Sequence, residues 1–430
     1  MTRWRLNVHR IDKGPIARGT IRTTLVLGIR LLVQAGTLLL VTRLLGPHDY
    51  GAFAGVAALA VMMGTLSTFG MNLVLLGEMS RDSSRRERVM SYAVPCTLAF
   101  GMLLLAIFMT ICLTGLREAA VPLHVLLAIG ATETLLQPLF GLPASEQLAL
   151  GRVARSQLLT TLPLALRLTA AAGIFLLGPT QPLTVYAYAY FTVSVLALAF
   201  TTLVMPEPWS APGQWRMPSM AELREAAGYA ALNVTTASPS ELDKTLATKL
   251  LPLADSGVYA AGARVIGAAT LPIIAMILSA LPRLFKDGHS DPGRTIPLVR
   301  SIFIAALAYS IAVAAALWFI APELTWLFGK EYQGIEHTLH FLTLAVPGMA
   351  LRMTSGSVLM ALGRPWMRAG FEVAGLVILV AAATILARTF GATGMPLALA
   401  CSEWSMAIIG IAFTAFAVRS RLIDSSKHSG

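Results

Sequence analysis

Charge is what this chain has least of. Only 13% of its 430 residues are Asp, Glu, Lys or Arg, about half the share of a soluble globular protein, which excludes an ordinary water-soluble domain. Cysteine is almost missing: Cys96, Cys112 and Cys401 all lie inside apolar runs, and an odd, buried set excludes a disulfide framework. The N-terminal segment lacks the apolar core of a secretory signal. Residues Arg3 to Arg18 read equally as a short basic helix on an anionic leaflet or as a frayed tail. Long polar stretches are also absent. The longest, near 206–224, 283–296 and 321–336, are too short to hold a core of their own, so no soluble domain is expected. Catalytic constellations are missing as well. His337 and His340 have no third ligand beside them and read as an interfacial pair rather than a metal site. Asn233-Val-Thr235 matches a glycosylation sequon but falls in or near an apolar run on the inner side, where it carries no meaning.

Apolar sequence fills the space that charge leaves. The chain is 56% hydrophobic with a mean hydropathy of +0.70. Runs long enough to cross ~30 Å of hydrocarbon as a helix fall at 20–44, 51–76, 90–113, 121–141, 156–178, 182–205, 225–250, 257–282, 297–320, 337–362, 368–388 and 392–418. The expected fold class is an all-α integral membrane protein, with about twelve transmembrane helices in two pseudo-symmetric six-helix halves around a central cavity. The expected organisation is a cytoplasmic basic segment (1–19), a first half (20–205), a cytoplasmic linker (206–224), a second half (225–418) and a cytoplasmic tail (419–430). Pro206, Pro208, Pro212 and Pro218 mark the linker, because proline interrupts helices.

The formal charge of +11 reflects topology rather than nucleic acid. With a cytoplasmic N-terminus and alternating spans, 22 of the 33 basic residues fall on the inner side. The outer loops hold Arg117, Lys330 and Arg388. That bias is the positive-inside rule, and it puts both termini in the cytoplasm. Trp209, Trp215 and Trp366 on the inner side, with Trp318 and Trp326 on the outer, sit where interfacial anchors belong.

The chain also repeats itself. Leu40–Ala57 laid without gaps over Leu246–Ala263 matches at eight of eighteen positions, including Leu44/Leu250, Leu45/Leu251, Asp49/Asp255 and Gly51/Gly257. Internal duplication marks transporters built from two halves. Six spans per copy is even, so the halves should be related by an axis along the membrane normal. Gly51-x-x-x-Gly55 suits close helix packing. Pro272, Pro347 and Gly348 read either as ordinary kinks or as bends for alternating access.

Ionisable residues left inside the spans carry the functional signal, since a charge there needs a partner or a wet cavity. Arg22, Arg43 and Lys249 lie near span ends and can snorkel. Arg30, Arg167 and Arg352 lie near the middle of theirs. Thr23, Arg30, Gln34 and Thr37 form one polar stripe on a helix, echoed by Thr236, Ser240 and Asp243 in the second copy. Two readings fit these stripes: helices lining a shared cavity, or an interhelical hydrogen-bond seam. Asp243 and Lys244, being adjacent, cannot fully share a helix face. Arg30, Arg167, Arg264, Arg352 and Lys244 outnumber Glu133, Asp243 and Glu403, with Glu372 nearer a span end. A surplus of positive charge favours an anionic substrate, and arginine's planar fork suits phosphate. The candidate substrate-binding residues are Arg30, Gln34, Arg167, Arg264, Arg352 and Ser240. Glu133, Asp243 and Glu403 are candidates for coupling to H+ or Na+. No catalytic residue, metal site or cofactor is expected.

Thr42-Arg43-Leu44-Leu45-Gly46-Pro47-His48-Asp49-Tyr50-Gly51-Ala52-Phe53, followed by Phe69-Gly70-Met71-Asn72, resembles the opening of bacterial polysaccharide flippases. These are the O-antigen and exopolysaccharide repeat-unit transporters of the multidrug/oligosaccharidyl-lipid/polysaccharide (MATE-like) superfamily. The resemblance implies a flippase, not an enzyme, in the cell inner membrane. It would move undecaprenyl-diphosphate-linked oligosaccharide from the cytoplasmic to the periplasmic leaflet by alternating access, for surface polysaccharide biosynthesis. Membrane lipids, and a polysaccharide polymerase and chain-length regulator, are the implied partners. Three alternatives stay open: a cation-coupled multidrug antiporter on the same fold, a lipid-linked peptidoglycan precursor flippase, and a membrane polymerase or acyltransferase. The last would need a larger outer loop than 321–336.

Overall fold

The computed structural model describes residues 15–116, 120–205, 208–237, 239–277 and 292–428, leaving aside the side chains of 15–24, 27, 231–237, 239–240, 292–295 and 421–428. Arg3, Arg5, Arg10, Lys13, Arg117, Arg283 and Lys286, which bear on the topology, lie outside the described residues.

Among the described residues every regular element is helical. The order is α1 (Pro15–Ser67), α2 (Met71–Arg81), α3 (Arg86–Gly115), α4 (Leu123–Ala131), α5 (Gln137–Ala149), α6 (Val153–Leu177), α7 (Pro182–Val204), α8 (Met220–Ala237), α9 (Pro239–Leu250) and α10 (Leu253–Ala269). Then come α11 (described over 271–277), α12 (Pro292–Phe328), α13 (Ile335–Thr343), α14 (Ala345–Ala361), α15 (Pro365–Phe390) and α16 (Gly394–His428).

Within the described residues each of the twelve apolar runs falls on one of these helices or on a broken pair, with 278–282 of run 257–282 outside them, and the breaks refine the expected spans. Runs 20–44 and 51–76 are two helices within α1, separated by a kink at one non-helical residue, Gly46, at φ 67 and ψ 171. Glycine tolerates that backbone because it has no Cβ to clash, and Pro47 behind it restarts the helix, lacking the N–H that a first turn leaves unbonded. The second run also ends earlier than its composition suggests. Phe69 (φ 45) and Gly70 (φ 77) turn the chain out of α1, and α2 follows as a separate short helix. Run 225–250 falls on α8 and α9; Ser238 between them and the side chains of Thr236 and Ser240 lie outside the described residues. Among the described residues neither α8 nor α9 alone is long and apolar enough to span, and α9 carries Glu241, Asp243, Lys244 and Lys249. Run 121–141 extends to Ala149 through a π-helical turn at Thr132–Leu136, and run 337–362 bends by 42° between α13 and α14. Among the described residues eight stretches are long and apolar enough to span, nine with the bent pair, and two of the eight contain two expected runs each.

Contacts divide the chain into two compact units. The first comprises the chain up to Leu44, Met63–Met109 and Leu123–Ala230; the second comprises Leu45–Met62, Thr110–Pro122 and the chain from Ala231. In the first, α6 packs on α7 and α5, α2 on α5, and α4 on α7. Its apolar core gathers Met71, Leu75, Met90, Val94 and Leu142. In the second, α16 packs on α14 and α15, α12 on α13 and α14, and α9 on α10 and α15. Phe371, Met406, Leu359 and Leu362 form its core.

The internal repeat is visible in the second unit as a contact between its own two copies. A Cβ on Gly51 would strike the carbonyl oxygen of Leu253 and lie 2.8 Å from the Gly257 nitrogen. A Cβ on Gly257 would strike the carbonyl oxygen of Pro47 and lie 3.0 Å from the Gly51 nitrogen. Pro47 and Leu253 occupy matched positions in the repeat, as do Gly51 and Gly257, so the two contacts are equivalent under a local pseudo-twofold. Backbones approach this closely only where side chains are missing, which is how helices associate without a hydrophobic driving force. The Thr248 hydroxyl bonds the Gly51 carbonyl at 3.0 Å and Thr245 bonds the Gly55 carbonyl at 3.1 Å, using buried polar groups as interhelical glue.

Candidate functional site

The first unit holds Arg30 and Arg167. Arg30, on α1, is half-buried and donates to Gln157 Oε1 at 3.0 Å and to Thr160 Oγ1 at 3.4 Å, both on α6. Gln157 and Thr160 stand three apart, so one face of α6 presents both. Neither carries charge, and no carboxylate among the described residues lies within ion-pair distance of Arg30. Gln34, one turn further along α1, is exposed. Thr37 turns its hydroxyl onto the Val33 carbonyl at 2.7 Å. The side chain of Thr23 lies outside the described residues.

Arg167, seven residues beyond Thr160 on the same helix, sits in a different environment. It is buried, with a guanidinium nitrogen 3.4 Å from Glu133 and 3.1 Å from the Ser194 hydroxyl, and its guanidinium lies 3.7 Å above the Tyr190 ring. Tyr190 in turn donates its hydroxyl to Glu133. Glu133 belongs to the π-helical turn, and such turns recur at functional sites. Arg167, Glu133, Tyr190 and Ser194 thus form a buried network that pairs the cation with an anion and a π face.

The second unit holds the remaining candidates. Asp243 is buried between Tyr259, whose hydroxyl donates to it at 2.8 Å, and Lys244 Nζ at 3.3 Å. Adjacency does not keep Asp243 and Lys244 apart: the flexible lysine stem carries the ammonium back to its neighbour. Lys244 also lies 3.4 Å from Glu241, and Arg264, largely exposed, lies 3.7 Å from the same carboxylate. Arg352, on α14, is buried and donates from Nε to Glu403 of α16 at 2.7 Å, while another of its nitrogens is 3.9 Å from Glu372 of α15. Arg368 completes the group with a 3.0 Å bond to Glu372. The side chain of Ser240 lies outside the described residues.

These pairings correct the expected charge surplus. Glu241 and Glu372 join Glu133, Asp243 and Glu403, so five carboxylates accompany the five cations Arg30, Arg167, Lys244, Arg264 and Arg352 together with Arg368, and the surplus of two falls to one. Burial explains the correction, because an unpaired ion in a dry interior costs several kcal/mol. Glu372 lies nearer a span end than the central acids, while Glu241 is as deep in run 225–250 as Asp243 and is not among the expected acids; both approach the cations. Of the five cations, Arg30 alone pairs with neutral groups only among the described residues. Gln157, Thr160, Tyr190, Ser194 and Tyr259 belong to these networks without carrying charge. Their signal in the sequence is a polar side chain inside an apolar run, which intramembrane charge alone does not pick out. His340 stacks on Trp318 at 4.2 Å and meets the Trp318 carbonyl at 3.1 Å, in keeping with an aromatic interfacial site. No group of three His, Cys, Asp or Glu residues suited to a metal occurs among the described residues.

A chain of packed apolar helices, broken at glycines and carrying arginines deep within them, defines a polytopic membrane transporter. Solved structures of that class share the fold. The chain matches the inward-facing conformation of a multidrug resistance MATE family transporter of the MOP superfamily with a TM-score of 0.70 and 16% identity, over 93% of this chain and 98% of the other. It matches a MOP superfamily transporter from Pyrococcus furiosus with a TM-score of 0.64 and 16% identity, over 97% of this chain and 99% of the other. An outward-facing MATE family transporter matches with a TM-score of 0.63 and 14% identity, over 97% and 99%. No curated protein matches the chain. The family described as "Polysaccharide biosynthesis protein" matches over residues 16–286. The chain belongs to that family: it is a MATE-like, multi-pass membrane transporter of the polysaccharide flippase type.

Proposed function

We propose that this chain carries a lipid-linked oligosaccharide repeat unit, joined to undecaprenyl through a diphosphate, from the cytoplasmic to the periplasmic leaflet of the inner membrane. Family membership over residues 16–286 is the observation that carries the reading. Arg30 gives it a chemical anchor, as the deep cation without a carboxylate of its own, held in place by Gln157 and Thr160. A guanidinium so placed keeps donors for an incoming phosphate, and phosphate accepts arginine's fork bidentately. Gln34, exposed one turn away, is suited to hydrogen-bond sugar hydroxyls. Arg264, largely exposed, and Ser240 remain proposed contributors in the second unit. Arg167 and Arg352, each held by carboxylates, are assigned to maintaining the units rather than to first contact with the substrate. Both termini are assigned to the cytoplasm on the positive-inside bias.

In the proposed cycle the two halves expose the site alternately to each side while the lipid tail stays in the bilayer. An inside-negative potential favours outward movement of an anionic head by up to ~2.3 kcal/mol per charge per 100 mV. No cofactor is needed. Polymerase and chain-length regulator are the proposed partners downstream.

The test is the lipid-linked oligosaccharide pool in cells lacking the gene, scored alongside surface polysaccharide. Accumulated undecaprenyl-diphosphate repeat units with polymer lost outside are expected. Unchanged pools and polymer would overturn the reading and favour a multidrug antiporter, which the similarity to a multidrug resistance MATE transporter keeps as the second reading. An antiporter for cationic drugs would want acids rather than arginines free in its site. The related transporter from Pyrococcus furiosus is itself described as having a binding pocket of reverse polarity that suggests a different function.

A further inference from the structure

Arg352 stands between two buried carboxylates contributed by two other helices. Its Nε donates to Glu403 at 2.7 Å and its terminal nitrogen lies 3.9 Å from Glu372. The arginine and both glutamates are almost fully excluded from solvent: Arg352 is 4% exposed and Glu403 and Glu372 are each 1% exposed. Arg368 adds a second guanidinium on Glu372. Asp243, the other buried acid of this unit, is bonded by Tyr259 and Lys244.

Two carboxylates converging in a dry interior need a positive charge between them. An exchangeable metal ion can supply it, and a transporter that couples to such an ion must let it leave in one half of the cycle. A guanidinium supplies the same charge but is covalently tethered and does not lose its proton in proteins. The position between Glu403 and Glu372 is therefore already filled by a cation that cannot be exchanged.

We propose that Arg352 is the resident counter-cation of a latent monovalent-cation site formed by Glu403 and Glu372, so that the protein takes up no alkali-metal ion at this position during transport. The first unit also neutralises a buried carboxylate with a tethered arginine, since Arg167 sits on Glu133 with the Tyr190 ring beneath it. Removing the Arg352 charge while keeping a polar side chain should uncover the latent site. The inference concerns how the second unit neutralises its acids and does not depend on which substrate is carried.

The experiment measures thermal unfolding of the full chain in lipid nanodiscs, with NaCl replaced stepwise by choline chloride at constant ionic strength. The wild-type midpoint should not move. For Arg352→Gln the midpoint should rise by a few degrees and saturate with Na+, and adding Glu403→Gln to that variant should abolish the rise. Arg352→Lys, which keeps a tethered cation, should stay indifferent to Na+. A saturable Na+ response in the wild type that Glu403→Gln removes would overturn the proposal, and that measurement stands even if Arg352→Gln fails to fold. A folded Arg352→Gln that ignores Na+ would overturn it equally. Loss of polysaccharide export in the gene deletion bears on the substrate reading alone, so the two can fail separately.

Discussion

Arg30 and Arg352 are both arginines deep in apolar helices, yet their neighbours assign them opposite consequences on removal. Arg30 bonds a side-chain amide and a hydroxyl, so Arg30→Ala leaves no buried charge behind. Its cost to stability should stay at about 1.5–3 kcal/mol, the range for hydrogen bonds to a charged group, while flipping is lost. Arg30→Lys keeps the charge and loses the planar fork, and should retain partial transport. Arg352→Ala leaves Glu403 without its bonded cation in a dry interior while Glu372 keeps Arg368, a loss of about 3–5 kcal/mol by analogy with broken buried pairs. Thermal unfolding of the purified variants together with polysaccharide export in complemented cells separates the two cases. Wild-type export by a membrane-inserted Arg30→Ala would remove Arg30 from the site.

Sequence shows where such residues lie in depth but not what faces them. Depth follows from counting residues at ~1.5 Å rise. Partners such as Gln157 for Arg30, or Glu403 for Arg352, depend on how helices rotate about their axes, which no single-helix periodicity encodes. Hence the deep arginines are legible in the sequence while their free charge is overcounted. Adjacent residues mislead for a related reason: helix-face geometry separates Cβ atoms, whereas Lys244 bridges to Asp243 through a long stem.

At the scale of elements, the glycine crossing makes a sharp forecast. Gly257 meets backbone from Pro47 and Gly51, while Gly267 on the same helix has nothing within 4 Å of where a methyl group would sit. Gly257→Val should therefore force the two repeat copies apart and destabilise by more than about 2 kcal/mol, in the class of core overpacking. Gly267→Ala should be neutral or slightly stabilising, since alanine is the better helix former. Thermal unfolding in a single detergent compares them directly. The repeat itself is legible from the matched Asp and Gly, but its meaning as a physical contact is not, because sequence identity does not say that two copies touch. Helix breaks are the least legible feature. Phe69 adopts a positive φ that only its context beside Gly70, stacked 4.3 Å from Phe100, makes tolerable.

The linker before α8 offers an element-level pH dependence. Arg216 donates to both carboxylate oxygens of Glu222, at 2.7 and 2.9 Å, and lies over the Tyr92 ring at 4.5 Å. The bidentate bond holds the Glu222 carboxyl down to about 2. A depressed carboxyl contributes its stability fully above its unfolded value, ~4.3, and loses it as the pH falls toward 2. Because the Arg216 side chain is 37% exposed, solvent screens the pair and its worth is on the order of 1 kcal/mol. Pepsin cleavage within 208–219 should rise as the pH is lowered from about 4.5 to about 2, the window between those two values, and Glu222→Gln should be cut readily at the upper end already. Equal cleavage of both proteins across that range would show that the clamp contributes nothing.

For the whole molecule, the question is what drives an anion outward if the buried acids hold their own cations. Glu133, Asp243 and Glu403 each have a basic side chain within 3.4 Å, and two of those three bases are arginines, which keep their charge at any physiological pH. On the proposed function, the protein's own charges then stay fixed through the cycle, and the charge that moves is the substrate's. Moving a diphosphate head outward across an inside-negative membrane is favoured by ~2.3 kcal/mol per charge per 100 mV, so the potential alone biases the leaflet distribution. In proteoliposomes with a potassium diffusion potential, inside negative, a fluorescent polyprenyl-diphosphate oligosaccharide should accumulate in the leaflet facing the positive side. Collapsing the potential should return it to an even distribution, and exchanging Na+ for choline should change neither result. Accumulation that survives collapse of the potential but vanishes without Na+ would mean that an exchanged cation does the work, and that the resident arginines are structural alone.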